Sequence, residues 1–194
     1  MAEQYTGVKF KTVFKSRALV RDPRILDMIN WAKEFSKMGF AHDKAGNVSF
    51  RTDNGFVITS TGSDLSNLTK EDFTEVTKVD LVKKEIHVNG IKEPSSESFF
   101  HNEIYRLRKD INSIFHGHNE DFLKFGVKLG FPITEKEQPG GTIELVKEIS
   151  SVLGNNTFLL IKNHGFLSLG DSVGAAGNLA VKRYTQLQRV KNIG

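Results

Sequence analysis

The chain has 194 residues, 38% of them hydrophobic and 26% charged, with 15 phenylalanines, 17 glycines and only 4 prolines. That is one domain's worth of chain with ample apolar material for a core, which excludes intrinsic disorder. The absence of cysteine removes disulfides, thiolate metal ligands and a cysteine nucleophile, and a scattered net charge of +4 argues against nucleic acid as a partner.

No repeat or Ser/Pro-rich linker divides the chain, so 1–194 reads as a single domain, with residues 1–20, mixed and basic, as an N-terminal arm. Asp22-Pro23 supplies an N-cap and a first-turn proline. Ile25, Met28, Ile29, Ala32 and Phe35 then recur at helical spacing, up to a stop at Gly39. Val48–Arg51 and Phe56–Thr59 flank Asn54-Gly55 and predict a hairpin. Thr69–Asp72 resembles a short capping segment. Thr74–Asp80 and Glu85–Val88 read as further strands, with Asn89-Gly90 as a turn. A helix from about Glu97 to Arg108 carries Phe100, Ile104 and Leu107 on one face. Ser113–His118 reads as a strand and Asn119–Leu129 as a helix stopped by Gly130. Thr142–Leu153 predicts an amphipathic helix, Thr157–Lys162 a buried strand and Val173–Val190 a closing helix. This order predicts a layered α/β domain, and its hairpin signals argue against a purely parallel sheet.

Of the six histidines, the pair in His116-Gly117-His118 stands out. Residues i and i+2 of a strand point to one face, so both imidazoles can reach one ion. His164 follows the apolar run Phe158–Ile161 and precedes Gly165, which suits a ligand presented at a strand end. Three imidazoles with an open position make a catalytic rather than a structural zinc site. Glu97 follows Pro94-Ser95-Ser96 at a helix start, where a carboxylate is favoured and exposed amides can cradle phosphate. Gly46-Asn47-Val48-Ser49 and Thr59-Ser60-Thr61-Gly62 offer similar amides and hydroxyls. Each feature alone also fits a plain structural role: two strand-end histidines, a core histidine, a helix-start glutamate, ordinary turns.

The ordered set Gly46–Arg51, Thr61-Gly62, Pro94-Ser95-Ser96-Glu97, His116-Gly117-His118 and Asn163-His164-Gly165 resembles the class II aldolase/adducin family, most closely its L-fuculose-1-phosphate aldolases. The match runs from about Ile25 to Leu169. The resemblance implies a three-layer α/β/α domain with a mixed, mostly antiparallel central sheet, in a homotetramer with active sites between subunits. It implies that His116, His118 and His164 bind zinc or another divalent metal such as cobalt or manganese. It makes Glu97 the catalytic acid/base and a resting metal ligand, and it assigns the substrate phosphate to Asn47, Gly62, Ser95 and Ser96, which Thr61 joins from its own glycine-flanked turn. The implied reaction cleaves a phosphorylated ketose such as L-fuculose 1-phosphate to dihydroxyacetone phosphate and an aldehyde. The electrons of the broken C3–C4 bond enter an enediolate, which a Lewis-acid metal stabilises without a lysine Schiff base.

Three departures accompany the match. No tyrosine lies between Tyr105 and Tyr184, where the aldolases carry their proton-transferring tyrosine, and Phe131–Thr142 reads as a shortened version of that region. Glu135 and Glu137 are the carboxylates available there. The sequence past Lys191 is short for the family's site-closing tail, and Lys44 stands where the aldolases carry a small hydroxyl residue. The alternatives are a sugar-phosphate epimerase or dehydratase on the same fold, or a non-catalytic module like the adducin head. The epimerases carry aspartate at the Glu97 position, and adducin heads lack the metal set. No apolar run approaches the ~18 residues of a membrane span, and residues 1–6 lack the start of a secretory signal, so a cytoplasmic protein without a membrane partner is expected.

Overall fold

Alternating side chains decide the architecture. The computed structural model describes residues 9–42 and 44–191. Its strands are β1 (Lys11–Ser16), β2 (Asn47–Thr52), β3 (Gly55–Thr59), β4 (Phe73–Asp80), β5 (Glu85–Asn89), β6 (Ser113–Gly117), β7 (Phe158–Ile161) and β8 (Gly165–Gly170). They form one sheet in the order β1-β5-β4-β3-β2-β6-β8-β7. Every pairing is antiparallel except that of β1 with β5. The helices are α1 (Arg24–Lys37), α2 (Ser98–Leu107), α3 (Glu120–Phe125), α4 (Ile143–Leu153) and α5 (Val173–Lys191).

Successive strand residues serve opposite cores. Phe158 and Leu160 of β7, with Phe166 of β8, join α1, α3 and α5 residues in a phenylalanine-rich core on one face. Leu159, Ile161, Leu167 and Leu169 join Phe99, Phe100 and Ile104 of α2 and Leu145, Ile149 and Leu153 of α4 on the other. Both sheet faces are covered, giving the expected three layers. On the α2 side this pattern is interrupted. Asn47, Ser49 and His116, all buried, occupy positions where the alternation would place apolar groups.

Several expectations are refined. The segment read as an arm over 1–20 contains β1, while 1–8 lie outside the described residues. Asp22 does engage the first turn of α1, accepting from the Arg24 amide at 2.9 Å, but Pro23 holds the N-cap position. Thr69 and Asp72 form a reciprocal capping box before β4. The helix expected over 119–129 shortens to α3 and a 3-10 turn at Val127–Leu129, ending at Gly130 with φ of 73°. Leu107, assigned above to the apolar face of α2, is 43% exposed. β8, which Gly165 and Gly170 at its ends obscure in the sequence, pairs β6 with β7. Among the described residues no helix is long and apolar enough to cross a membrane.

Helices α1 and α5 meet at Trp31, where a Cβ on Gly177 would lie 2.3 Å from the indole, whereas one on Gly174 would come no closer than 3.9 Å. Alanine favours helix over glycine by about 1 kcal/mol, but overpacking costs about 1–3 kcal/mol. Gly177→Ala should therefore destabilise the fold in a denaturant titration, while Gly174→Ala should be neutral or slightly stabilising. Equal midpoints for the two variants would contradict this packing.

Candidate metal centre and active site

The three histidines expected to act together do converge. His116 lies in β6, His118 just past its end, and His164 in the tight turn between β7 and β8. That turn is possible because Asn163 adopts φ of 54°, and the His164 amide donates to Ile161 O at 3.0 Å. The antiparallel β6–β8 ladder pairs Gly117 with Phe166 and brings the turn beside the histidine pair. Glycine is required at two points here. A Cβ on Gly165 would lie 2.3 Å from Gly117 O and 3.1 Å from the His116 ring, and one on Gly117 would strike the Phe35 ring at 2.6 Å. The ring centroids sit 4.8–5.0 Å apart, and the candidate ligand atoms all lie within 4.8 Å of one another.

His116 Nδ1 faces Phe166 O at 3.0 Å, and a nitrogen facing a carbonyl must carry the proton. Its Nε2 therefore offers a lone pair to the cluster, 3.0 Å from His118 Nε2 and 3.2 Å from His164 Nε2. Burial pushes the His116 imidazole down to about 4, against the pull of the Glu97 carboxylate. Glu97, at the N-cap of α2, places Oε2 3.2 Å from His116 Nε2 and Oε1 3.2 Å from His164 Nε2. Burial opposes its charge, yet His116, His164 and His118 hold its carboxyl well below the usual carboxylate range. Its buried Oε1 has no hydrogen-bond partner. Three converging imidazoles beside a buried carboxylate could hold a cation, and nitrogen donors with one carboxylate suit zinc and its neighbours.

The turns assigned to phosphate are stitched together beside this cluster. Ser60 bridges Pro94, the Thr61 amide donates to Glu93 O at 2.9 Å, and the Ser95 amide donates to Thr59 O at 3.0 Å. Thr61-Gly62 is thereby held alongside Ser95-Ser96, with Gly62 at φ of 70°. The serines do not cap α2 through their side chains; instead Ser95 Oγ accepts from the Glu97 amide at 3.3 Å. The Phe131–Thr142 region packs on this turn, since a Cβ on Gly141 would lie 2.6 Å from Ser96 O. Lys44 is exposed at φ of 67°, and Glu137 accepts from Asn163 Nδ2 at 2.7 Å.

The Asn47 side chain reaches the Glu97 carboxylate. It bridges two groups, donating to Glu97 Oε2 at 2.7 Å and facing His101 Nε2 through Oδ1. His101 escaped the reading of the sequence. The available signal was its spacing, four residues after Glu97 and so on the same helical face.

Residues 26–183 match the family model described as Class II Aldolase and Adducin N-terminal domain. An L-fuculose phosphate aldolase of Methanococcus vannielii is 35% identical over 142 residues, 66% of this chain and 74% of that protein. A 5-methylthioribulose-1-phosphate/5-deoxyribulose-1-phosphate aldolase of Rhodospirillum rubrum is 26% identical over 171 residues, 80% of this chain and 74% of its own. A solved structure of an L-fuculose 1-phosphate aldolase superposes with a TM-score of 0.74 at 21% identity, covering 91% of this chain and 90% of that one, a likeness of fold. The layered sheet, the motif order and these matches agree, and the chain belongs to the class II aldolase and adducin N-terminal domain family.

Proposed function

We propose that this protein is a metal-dependent aldolase that cleaves a phosphorylated ketose such as L-fuculose 1-phosphate to dihydroxyacetone phosphate and an aldehyde. The observation that carries the reading is the buried Glu97 carboxylate, held against three imidazole nitrogens and next to the Ser95-Ser96 turn. The names of the relatives support the reaction class, and that of the R. rubrum relative adds 5-deoxyribulose 1-phosphate and 5-methylthioribulose 1-phosphate as candidate substrates. The proposal includes a homotetramer with sites between subunits, and a cytoplasmic location.

His116, His118 and His164 would hold zinc, or another divalent ion such as cobalt or manganese, with Glu97 as a resting ligand. When bound, the ion supplies Lewis-acid charge to the substrate oxygens on which negative charge develops. The protein's own residues do the rest. The amides of Gly62 and Ser96 and the hydroxyls of Thr61, Ser95 and Ser96, with Lys44 as an added cation, anchor the phosphate and orient the reacting bond. Glu97 takes and returns the proton at the carbon that becomes nucleophilic, through Oε1, the oxygen that Asn47 does not hold. Asn47 keeps Oε2 engaged meanwhile.

Three outcomes test the reading. Chelator-treated protein should lose dihydroxyacetone phosphate release and regain it with zinc, cobalt or manganese, while His164→Ala should retain far less metal by elemental analysis. Full metal content in that variant would remove His164 from the site. Glu97→Gln should still bind metal but turn over roughly 100-fold or more slowly. A wild-type rate would place the base elsewhere.

The third outcome concerns pH. His101 and His116 are held neutral by burial, down to about 3 and about 4, against an ordinary 6.5. The unfolded chain then binds protons that the native one does not. Stability of the metal-free protein is whole above about pH 6.5 and declines as pH falls below it, by about 1.4 kcal/mol per pH unit for each group. His101→Gln should remove one such contribution between about pH 6.5 and 5 in denaturant titrations. An unchanged acid limb would contradict the buried neutral state of His101.

A further inference from the structure

We propose that Tyr105, Ser49, His101 and Asn47 form a hydrogen-bond zipper of single direction that aims and holds the Glu97 carboxylate, making them positioning residues for the base. This rests on the reading of Glu97 as the base. It gives the Asn47 side chain a role at the carboxylate.

The zipper follows from two periodicities that nearly match. Asn47, Ser49 and Arg51 alternate along one face of β2, about 6.7 Å apart, and Glu97, His101 and Tyr105 recur every four residues on α2, about 6 Å apart. Laid against each other, the two rows interdigitate. Asn47 stands between Glu97 and His101, and Ser49 between His101 and Tyr105, 2.8 Å from His101 Nδ1 and 2.7 Å from the Tyr105 hydroxyl. Arg51 closes the far end, donating to Tyr105 O at 2.9 Å with its guanidinium over the Tyr105 ring.

The direction of every bond is forced from the acidic end. An ionised carboxylate only accepts, so Asn47 must present its NH₂ to Glu97 and its Oδ1 to His101. His101 Nε2 therefore carries the ring proton, which leaves Nδ1 as an acceptor. Ser49 gives that nitrogen its one hydroxyl proton, so Tyr105 must donate to Ser49. Burial supports both ends of this assignment, keeping His101 neutral and pushing the Tyr105 hydroxyl upward so that it remains a donor. The row transmits orientation and not protons, because an amide cannot pass a proton on without becoming its imidic acid. With Oε2 fixed in this way, Oε1 is left facing His164 and the reacting space.

The test uses the zinc-loaded full chain. Long-range proton–nitrogen NMR should show His101 neutral at pH 7 with its proton on Nε2, and a proton on Nδ1 would overturn the zipper outright. Tyr105→Phe and Ser49→Ala touch neither Glu97 nor the histidine cluster. Each should lower kcat about 10-fold, with bound zinc and the KM for the ketose phosphate within twofold. An unchanged kcat, or a raised KM alone, would overturn the positioning role. His101→Gln, which keeps an N–H for Asn47, should retain more of kcat than His101→Leu, and equal losses would count against the proposal. If the wild type cleaves no ketose phosphate, the aldolase reading fails, while the His101 tautomer still decides the zipper. Tyr105→Phe and the spectrum also stand should the His101 variants fail to fold.

Discussion

The buried strand β6, hydrogen-bonded to β2 on one side and β8 on the other, is the constraint from which the rest of the site follows. Its pairing with β8 determines where the His164 turn arrives and supplies the Phe166 carbonyl that sets the His116 tautomer. Its pairing with β2 puts Asn47 directly opposite His116, and Asn47 in turn reaches Glu97 at the start of α2. A one-residue slip in either ladder would turn the alternate side chains to the other face and disperse the cluster. The glycines at 117 and 165 are part of the same constraint, because each allows a backbone approach that a side chain would prevent.

This arrangement concentrates polar groups in a layer that is otherwise apolar. Asn47, Ser49, Glu97, His101 and His116 are all buried between the sheet and α2, where an unpaired polar group costs about 1–3 kcal/mol. The structure offsets that cost with a nearly complete set of partners running from Glu97 to Arg51. At the end beside the histidine cluster, the buried Glu97 Oε1 is left without a hydrogen bond of good geometry and meets His164 Nε2 at 3.2 Å. A fully partnered support ending in an incompletely partnered carboxylate suits a group that must exchange partners during a reaction.

The Phe131–Thr142 segment borders the candidate site. It reaches the site from two directions, through Gly141 against Ser96 and through Glu137 against Asn163, next to His164. It therefore touches the proposed phosphate turn and the turn that carries His164 together, and it contains no tyrosine.

Much of this was legible in the sequence. Period-2 runs located most of the central strands, Asn54-Gly55 located the β2–β3 hairpin, and the 3.6-residue stripes located α1, α2, α4 and α5, because local periodicity reports which face is buried. The same-face pair His116 and His118 follows from strand geometry alone, and the resemblance supplied His164, Glu97 and the phosphate turns as partners. Two strands were hidden for local reasons: β1 lies in a mixed, basic stretch, and β8 begins and ends on glycine. The assignment of Leu107 to the buried face of α2 failed at the helix's final residue, which is exposed although Ile104 and Tyr105 in the same turn are buried. What only the tertiary structure decided is the use of Asn47, Ser49, His101 and Tyr105. Their separate spacings of two and four residues are visible in the chain, but ordinary strands and helices share them. They acquire meaning when α2 lies along β2 with steps of similar length, and that register is set by contacts between residues some fifty positions apart.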